Sequence, residues 1–87
     1  MRANLKKFVK ERNEMLLKCD VNELRKFVTN RPEWYGEDFR NKIREASDEV
    51  LKITLHKMIV NVPKLPKNLR EKSAFWLILH GYDLNIM

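Results

Sequence analysis

FRNKIREASDEVLKITLHKMIVNV, running from Phe39 to Val62, decides how the chain is read, because it carries two apolar stripes of helical period. The first half repeats at Phe39, Ile43, Ala46, Val50 and Ile53; from Leu51 the repeat moves to Leu51, Leu55, Met58, Ile59 and Val62. Steps of three and four residues mark an amphipathic helix, and the helical rotation per residue sets the two stripes roughly 140° apart. Either one long helix changes neighbours midway, or the chain kinks near Ser47, a capping residue followed by Asp48 and Glu49. We read one long, mostly helical segment whose second half is the central core helix.

Toward the N-terminus, Leu5, Phe8, Val9, Met15 and Leu16 place a first helix over Ala3 to Lys18. Lys7 with Glu11, Lys10 with Glu14 and Glu14 with Lys18 are four-spaced pairs of opposite charge on its outer face. Arg12 falls at the centre of the apolar stripe. A buried unpaired charge costs on the order of several kcal/mol. Arg12 is therefore expected to form an internal charge pair with Asp48, Glu49 or Asp83, the alternative being an open stripe in which it contacts a second copy or a target. Asp20 and Glu23 have the spacing of a capping box for a second helix, whose apolar face is Leu24, Phe27 and Val28. Asn30-Arg31-Pro32 ends it, since proline lacks a backbone donor and pushes its predecessor out of helical geometry.

Toward the C-terminus, Val62-Pro63-Lys64-Leu65-Pro66 breaks the core helix. Pro66 opens a last helix that runs to His80, where Gly81 supplies a left-handed cap that brings Tyr82 back over Leu77. The tail Asp83-Leu84-Asn85-Ile86-Met87 is partly apolar and is expected to lie on the bundle. No internal repeat and no low-complexity segment are read. The expected fold is all-α, a compact bundle of four or five helices in a single domain, residues 1–87. Its core sets Leu51, Leu55, Met58 and Ile59 against Phe8, Leu16, Leu24, Phe27, Trp76 and Leu77.

Eighty-seven residues, 44% hydrophobic and 34% charged, suit one modest core. The lone Cys19 allows no internal disulfide, and no apolar run approaches the roughly 18 residues of a membrane span, so a cytoplasmic protein is expected. The net charge of +6 is uneven: residues 1–31 hold nine Lys or Arg against four acids, residues 32–62 five against six, and residues 63–87 four against two. The positive field belongs to the first third.

Little in the sequence bears chemistry. Cys19, His56 and His80 have no metal-ligand spacing, so no metal or other cofactor is expected. Ser47 and Ser73 lack a glycine-bordered elbow, and Glu37-Asp38 and Asp48-Glu49 read as first-turn dipole partners. Both glycines stand alone, without a phosphate loop. No catalytic residue is assigned, and an enzyme is not expected. His56 is read as a helix residue with a satisfied ring, and Phe75 and Trp76 as core. Arg31, Trp34 and Tyr35 have the composition of a partner hot spot, with Arg12 as a further candidate contact; the other reading is that a ring folds back onto the core. Arg2, Lys6, Lys7 and Lys10 could meet nucleic acid, weakly and without sequence preference, although Glu11 and Glu14 interrupt the basic face and no helix-turn-helix is present.

Phe8-Val9-Lys10-Glu11-Arg12-Asn13-Glu14-Met15-Leu16, Thr54-Leu55-His56-Lys57-Met58-Ile59 and Trp76-Leu77-Ile78-Leu79-His80-Gly81-Tyr82 together resemble small uncharacterised proteins carried by prophages and mobile elements of Firmicutes. The ending His80-Gly81-Tyr82-Asp83-Leu84-Asn85-Ile86 also resembles the end of an ankyrin repeat, without that repeat's Thr-Pro-Leu-His opening. The first resemblance implies a phage or element accessory protein that acts by binding a host or phage protein, a host-takeover factor or an inhibitor of a bacterial defence system of the anti-CRISPR kind. The partner could be a nucleoprotein, and a homodimer is compatible with the sequence. The rival expectation is a DNA- or RNA-binding accessory protein that uses the basic first helix.

Overall fold

The computed structural model describes residues 5–82 as an all-α bundle of five helices: α1 (Leu5–Lys18), α2 (Val21–Thr29), α3 (Glu37–Glu45), α4 (Asp48–Val60) and α5 (Lys67–Leu79). Tail residues 83–87, expected on the bundle, lie outside the described residues. Leu16, Leu24, Val28, Leu51, Leu55, Ile59 and Leu77 are fully buried. Met58, Phe8 and Trp76, expected in the core, are half-buried at its edge. Burial of this apolar surface is the main stabilising term for so small a chain.

The segment read as one helix is two. α3 stops at Glu45, Ala46 turns extended (ψ 148°), and Ser47 caps α4 by accepting from the Val50 amide at 3.3 Å. The break lets each stripe find the core separately: Ile43 is buried from α3, and Leu51, Leu55 and Ile59 from α4, which leaves Val50 exposed. Arg25 of α2 fastens the break. Its Nη1 donates to the carbonyl oxygens of Ile43, Arg44 and Ala46 at 3.2, 2.9 and 3.1 Å, and its Nη2 donates to Asp48 Oδ1 at 3.2 Å. The last carbonyls of a helix have no intrahelical donor, and a guanidinium supplies several from one plane.

Asp48 is thereby taken, which corrects the expected pairing of Arg12. Among the described residues Arg12 makes no ion pair; its Nε and Nη2 both donate to Asn13 Oδ1, at 3.2 and 3.0 Å. Arg12 is half-buried rather than enclosed, so a neighbouring amide and water satisfy it. Asp83 lies outside the described residues. Three surface expectations are corrected as well. Glu11 pairs with Arg31 at 3.0 Å instead of Lys7, Lys18 faces Glu23 at 3.7 Å instead of Glu14, and Lys10 and Glu14 form no ion pair with each other. Asp20 caps α2 through the Asn22 amide at 2.7 Å, while Glu23, turned to Lys18, does not complete the box.

The structure also shows a repeat that the sequence reading missed. Leu24-Arg25-Lys26-Phe27-Val28-Thr29-Asn30-Arg31-Pro32 matches Leu55-His56-Lys57-Met58-Ile59-Val60-Asn61-Val62-Pro63 at an offset of 31, and Phe39-Arg40-Asn41-Lys42 matches Leu69-Arg70-Glu71-Lys72 at an offset of 30. The backbone agrees: Asn30 ends α2 at φ −95°, ψ 10°, and Asn61 ends α4 at φ −95°, ψ 8°. Arg40 Nε donates to the Tyr35 carbonyl and Arg70 Nε to the Leu65 carbonyl, both at 3.0 Å, just ahead of N-caps that lack a capping side chain. Arg25 reaches Ile43 and Ala46; His56, its equivalent, reaches Ser73 and Trp76, 30 residues on from each. α2–α3 and α4–α5 are therefore related helical hairpins that differ at their ends, α3 closing on an extended Ala46 (ψ 148°) and α5 on His80 (ψ 10°), and they pack through α2 and α4.

The end of α1 follows the end of α5 in the same way. Gly81 (φ 79°) donates to the Ile78 carbonyl at 3.0 Å and Tyr82 to the Leu77 carbonyl at 2.8 Å, the paired bonds of a glycine-closed helix. At the matching position Cys19 (φ 51°) donates to the Leu16 carbonyl at 3.1 Å, a left-handed residue with a side chain.

Arg25→Met should destabilise the protein by about 2 kcal/mol in urea denaturation, because α3 loses donors to its terminal carbonyls. Asp48→Asn should cost less than about 1 kcal/mol, since the Asp48 side chain is 78% exposed. Equal effects from the two variants would place the stabilisation in the ion pair rather than in the carbonyls.

Candidate functional site

Arg31, Trp34, Tyr35 and Arg12 do converge, on the seam between α1 and the α2–α3 loop. Trp34 stacks on Phe8 with ring centroids 4.4 Å apart and planes at 18°; Tyr35 lies 5.9 Å from Phe8 and 5.6 Å from Phe39. The Arg31 guanidinium carbon sits 3.9 Å over the Phe27 ring, with Nη1 donating to the Phe27 carbonyl at 3.2 Å and Nη2 held by Glu11. Burial raises the Tyr35 phenol above its ordinary pKa, against the nearby charges of Arg12 and Arg31, which lower it. All four side chains are half-buried. The loop is aromatic because it roofs the core between α1 and α2, and its rings spend their faces on one another.

The basic residues of α1 divide between two surfaces, and Arg2 lies outside the described residues. Lys7 borders a shallow recess with Phe8, Glu11 and Trp34. Lys6 and Lys10 line a different groove, where Lys64 of the α4–α5 loop joins them around Leu5, Val9 and Leu17.

Among the described residues the most exposed large apolar side chains are at the far end of α5. Phe75, Ile78 and Leu79 are 61%, 58% and 65% exposed, on one face at helical spacing. Beside them Trp76, His80 and Tyr82 line a groove of about 370 Å³ with Val50 and Ile53 of α4, and Glu49 and Lys52 of α4 form its charged edge. Trp76 carries two imidazoles: His56 stacks on it at 4.4 Å and His80 at 4.0 Å. Nδ1 of His56 lies 2.9 Å from the buried Ser73 hydroxyl, and Nδ1 of His80 2.9 Å from the Trp76 carbonyl. The ring of His56 is satisfied, as expected. Phe75 is exposed, contrary to its expected place in the core, because α5 turns Ser73 and Leu77 to α4 and has one inner face only. The signal was present: Ala74 to Leu79 is an unbroken apolar run, which wraps a helix on all sides, and a helix apolar all round needs partners on two.

Among the described residues no group of three or more His, Cys, Asp or Glu could hold a metal ion, and no helix is long and apolar enough to cross a membrane. Cys19 is exposed at its turn.

Trp34→Ala should lower stability by about 2 kcal/mol, read as a drop in melting temperature, because it uncovers Phe8 and the seam beneath. Stability should also depend on pH through His56. Burial, then Lys52 and His80, lower its folded-state pKa below the ordinary 6.5, so the unfolded chain takes up a proton first as pH falls. The contribution is fully present above about 6.5 and is lost as pH falls through the folded pKa. Melting temperature should therefore decline from about pH 7.5 to 5.5, and His56→Gln should flatten the decline.

Comparison of the chain with protein-family models, with curated proteins and with solved structures finds no match.

Proposed function

We propose that the protein is a non-catalytic binding module that docks another protein through the outer end of α5. The observation that supports this is the exposure of Phe75, Ile78 and Leu79 on one face beside the groove of Trp76 and Tyr82. Large apolar side chains grouped on a small soluble surface mark an interaction site, since each loses hydration free energy until it is covered. No formally charged side chain falls between Ser73 and Tyr82, while Glu49 and Lys52 edge the groove, so the fitting occupant is an amphipathic helix whose apolar face meets α5 and whose polar margin meets α4. Such a helix lies along α5 and sets one side chain into the groove, with Trp76 as its wall. The resemblance to prophage and mobile-element proteins supplies the class of target: a host or phage protein, such as a component of a bacterial defence complex that the module would inhibit.

A photo-crosslinking residue at Ile78, introduced in the producing cell, should yield a discrete adduct with one partner protein. The same residue at the exposed Asn22 on α2 should not, and Phe75→Ser with Leu79→Ser should abolish the Ile78 adduct without lowering the melting temperature. An adduct at twice the chain's own mass would identify a second copy as the occupant. No adduct, or equal adducts at Asn22, overturns the reading.

A further inference from the structure

The groove between α1 and the α4–α5 loop is a separate surface with a different chemistry. Its floor is mostly apolar: Leu5 and Leu17 are 53% and 50% exposed, Val9 lies one turn from Leu5, and Asn13, whose Oδ1 is held by Arg12, fills the turn before Leu17. Its rim is basic, with Lys6 and Lys10 on α1 and Lys64 across from them, against the single carboxylate of Glu14. The groove is broad and open to solvent, with about 540 Å³ of space over its floor. From Leu5 to Leu17 the floor runs roughly 18 Å, about three helical turns.

We propose that this groove binds an acidic amphipathic helix of a partner protein, whose apolar face lies on Leu5, Val9 and Leu17 and whose flanking carboxylates meet Lys6, Lys10 and Lys64. Helix-in-groove recognition needs an apolar trough of a few turns for anchors at three- and four-residue spacing, and charges along both edges fix register and speed encounter. The apolar floor separates this ligand from nucleic acid. A phosphate backbone is held by cationic contacts, with tight binding built from about six to ten of them, whereas an apolar strip between the lysines gives a phosphate nothing. Lys7, the remaining lysine of the expected nucleic-acid face, points into the other recess beside Glu11. The groove shares no lining residue with the α5 surface, so the two proposals stand or fall separately.

The test is fluorescence anisotropy with a labelled peptide of about five turns, leucines at alternating three- and four-residue steps and glutamates on both flanks. A scrambled peptide of the same composition and a labelled DNA duplex serve as the other probes. The designed peptide should bind. The scrambled one should bind about tenfold more weakly or worse, and Leu17→Ser, which leaves the charge unchanged, should weaken the designed peptide by about tenfold. Lys6→Glu with Lys10→Glu should weaken it further and reduce its salt dependence, while Phe75→Ser should leave it unchanged. Equal binding of the scrambled peptide, stronger binding of the duplex, indifference to Leu17→Ser, or no binding of the designed peptide would each overturn the proposal. Leu17 is half-exposed on α1, and circular dichroism of the variant confirms that the fold is intact.

Discussion

The guanidinium of Arg25 is the contact on which the arrangement of the helices depends. A helix that stops at Glu45 leaves carbonyl oxygens without intrahelical partners, and the next helix begins three residues later. One planar cation answers three carbonyls and the first carboxylate of α4 together. With the junction fixed, α4 enters at the angle that puts Leu51, Leu55 and Ile59 in the core, and the groove and exposed face of α5 follow from where α4 lies. In the second hairpin the same position is His56, whose partners are a hydroxyl and an indole ring instead of open carbonyls. That difference fits the local backbone: α3 ends where Arg25 reaches it, whereas α5 continues past Trp76 to Leu79 and keeps its carbonyls occupied.

Much of the fold was legible because it is local. The Asp20 cap, the stop at Asn30-Arg31-Pro32, the proline-rich break after Val62 and the glycine closure at Gly81 depend on residues within a few positions, and the structure has all four. The break at Ala46 and Ser47 was not decided locally. Ser47, Asp48 and Glu49 permit a new helix start but do not require one, and the side chain that settles the matter lies 18 to 23 residues upstream. Arg12 misled for a related reason: a stripe position identifies the inward side of a helix but not how far the stripe lies from water. The repeat was hidden by a one-residue difference in its loops and by unlike residues at the equivalent contact, arginine in one hairpin and histidine in the other.

The candidate surfaces divide along the same line. Arg31, Trp34 and Tyr35 were found as a cluster, and they form one, but their rings face each other and the core, which residue type alone does not reveal. Phe75 is expected in the core because a run of apolar residues on a helix reads as a buried one, and Ile78 and Leu79 belong to the same run. Counting faces corrects this, since a terminal helix of a two-hairpin stack has one neighbour and the run Ala74 to Leu79 has apolar residues for two. Lys6 and Lys10 were singled out for their charge, and only the fold sets Lys64 opposite them.

The reach of Arg25 also bears on the order in which the molecule comes together and apart. Each hairpin closes through a loop of a few residues, so most of its contacts join neighbouring stretches of chain. The bonds of Arg25 join α2 to the far end of its own hairpin and to the start of the next, and they take hold only after both helices of the first pair are in place. The guanidinium thus couples the closure of the first hairpin to the start of the second, and a local opening at the α3–α4 junction breaks its bonds to both at once.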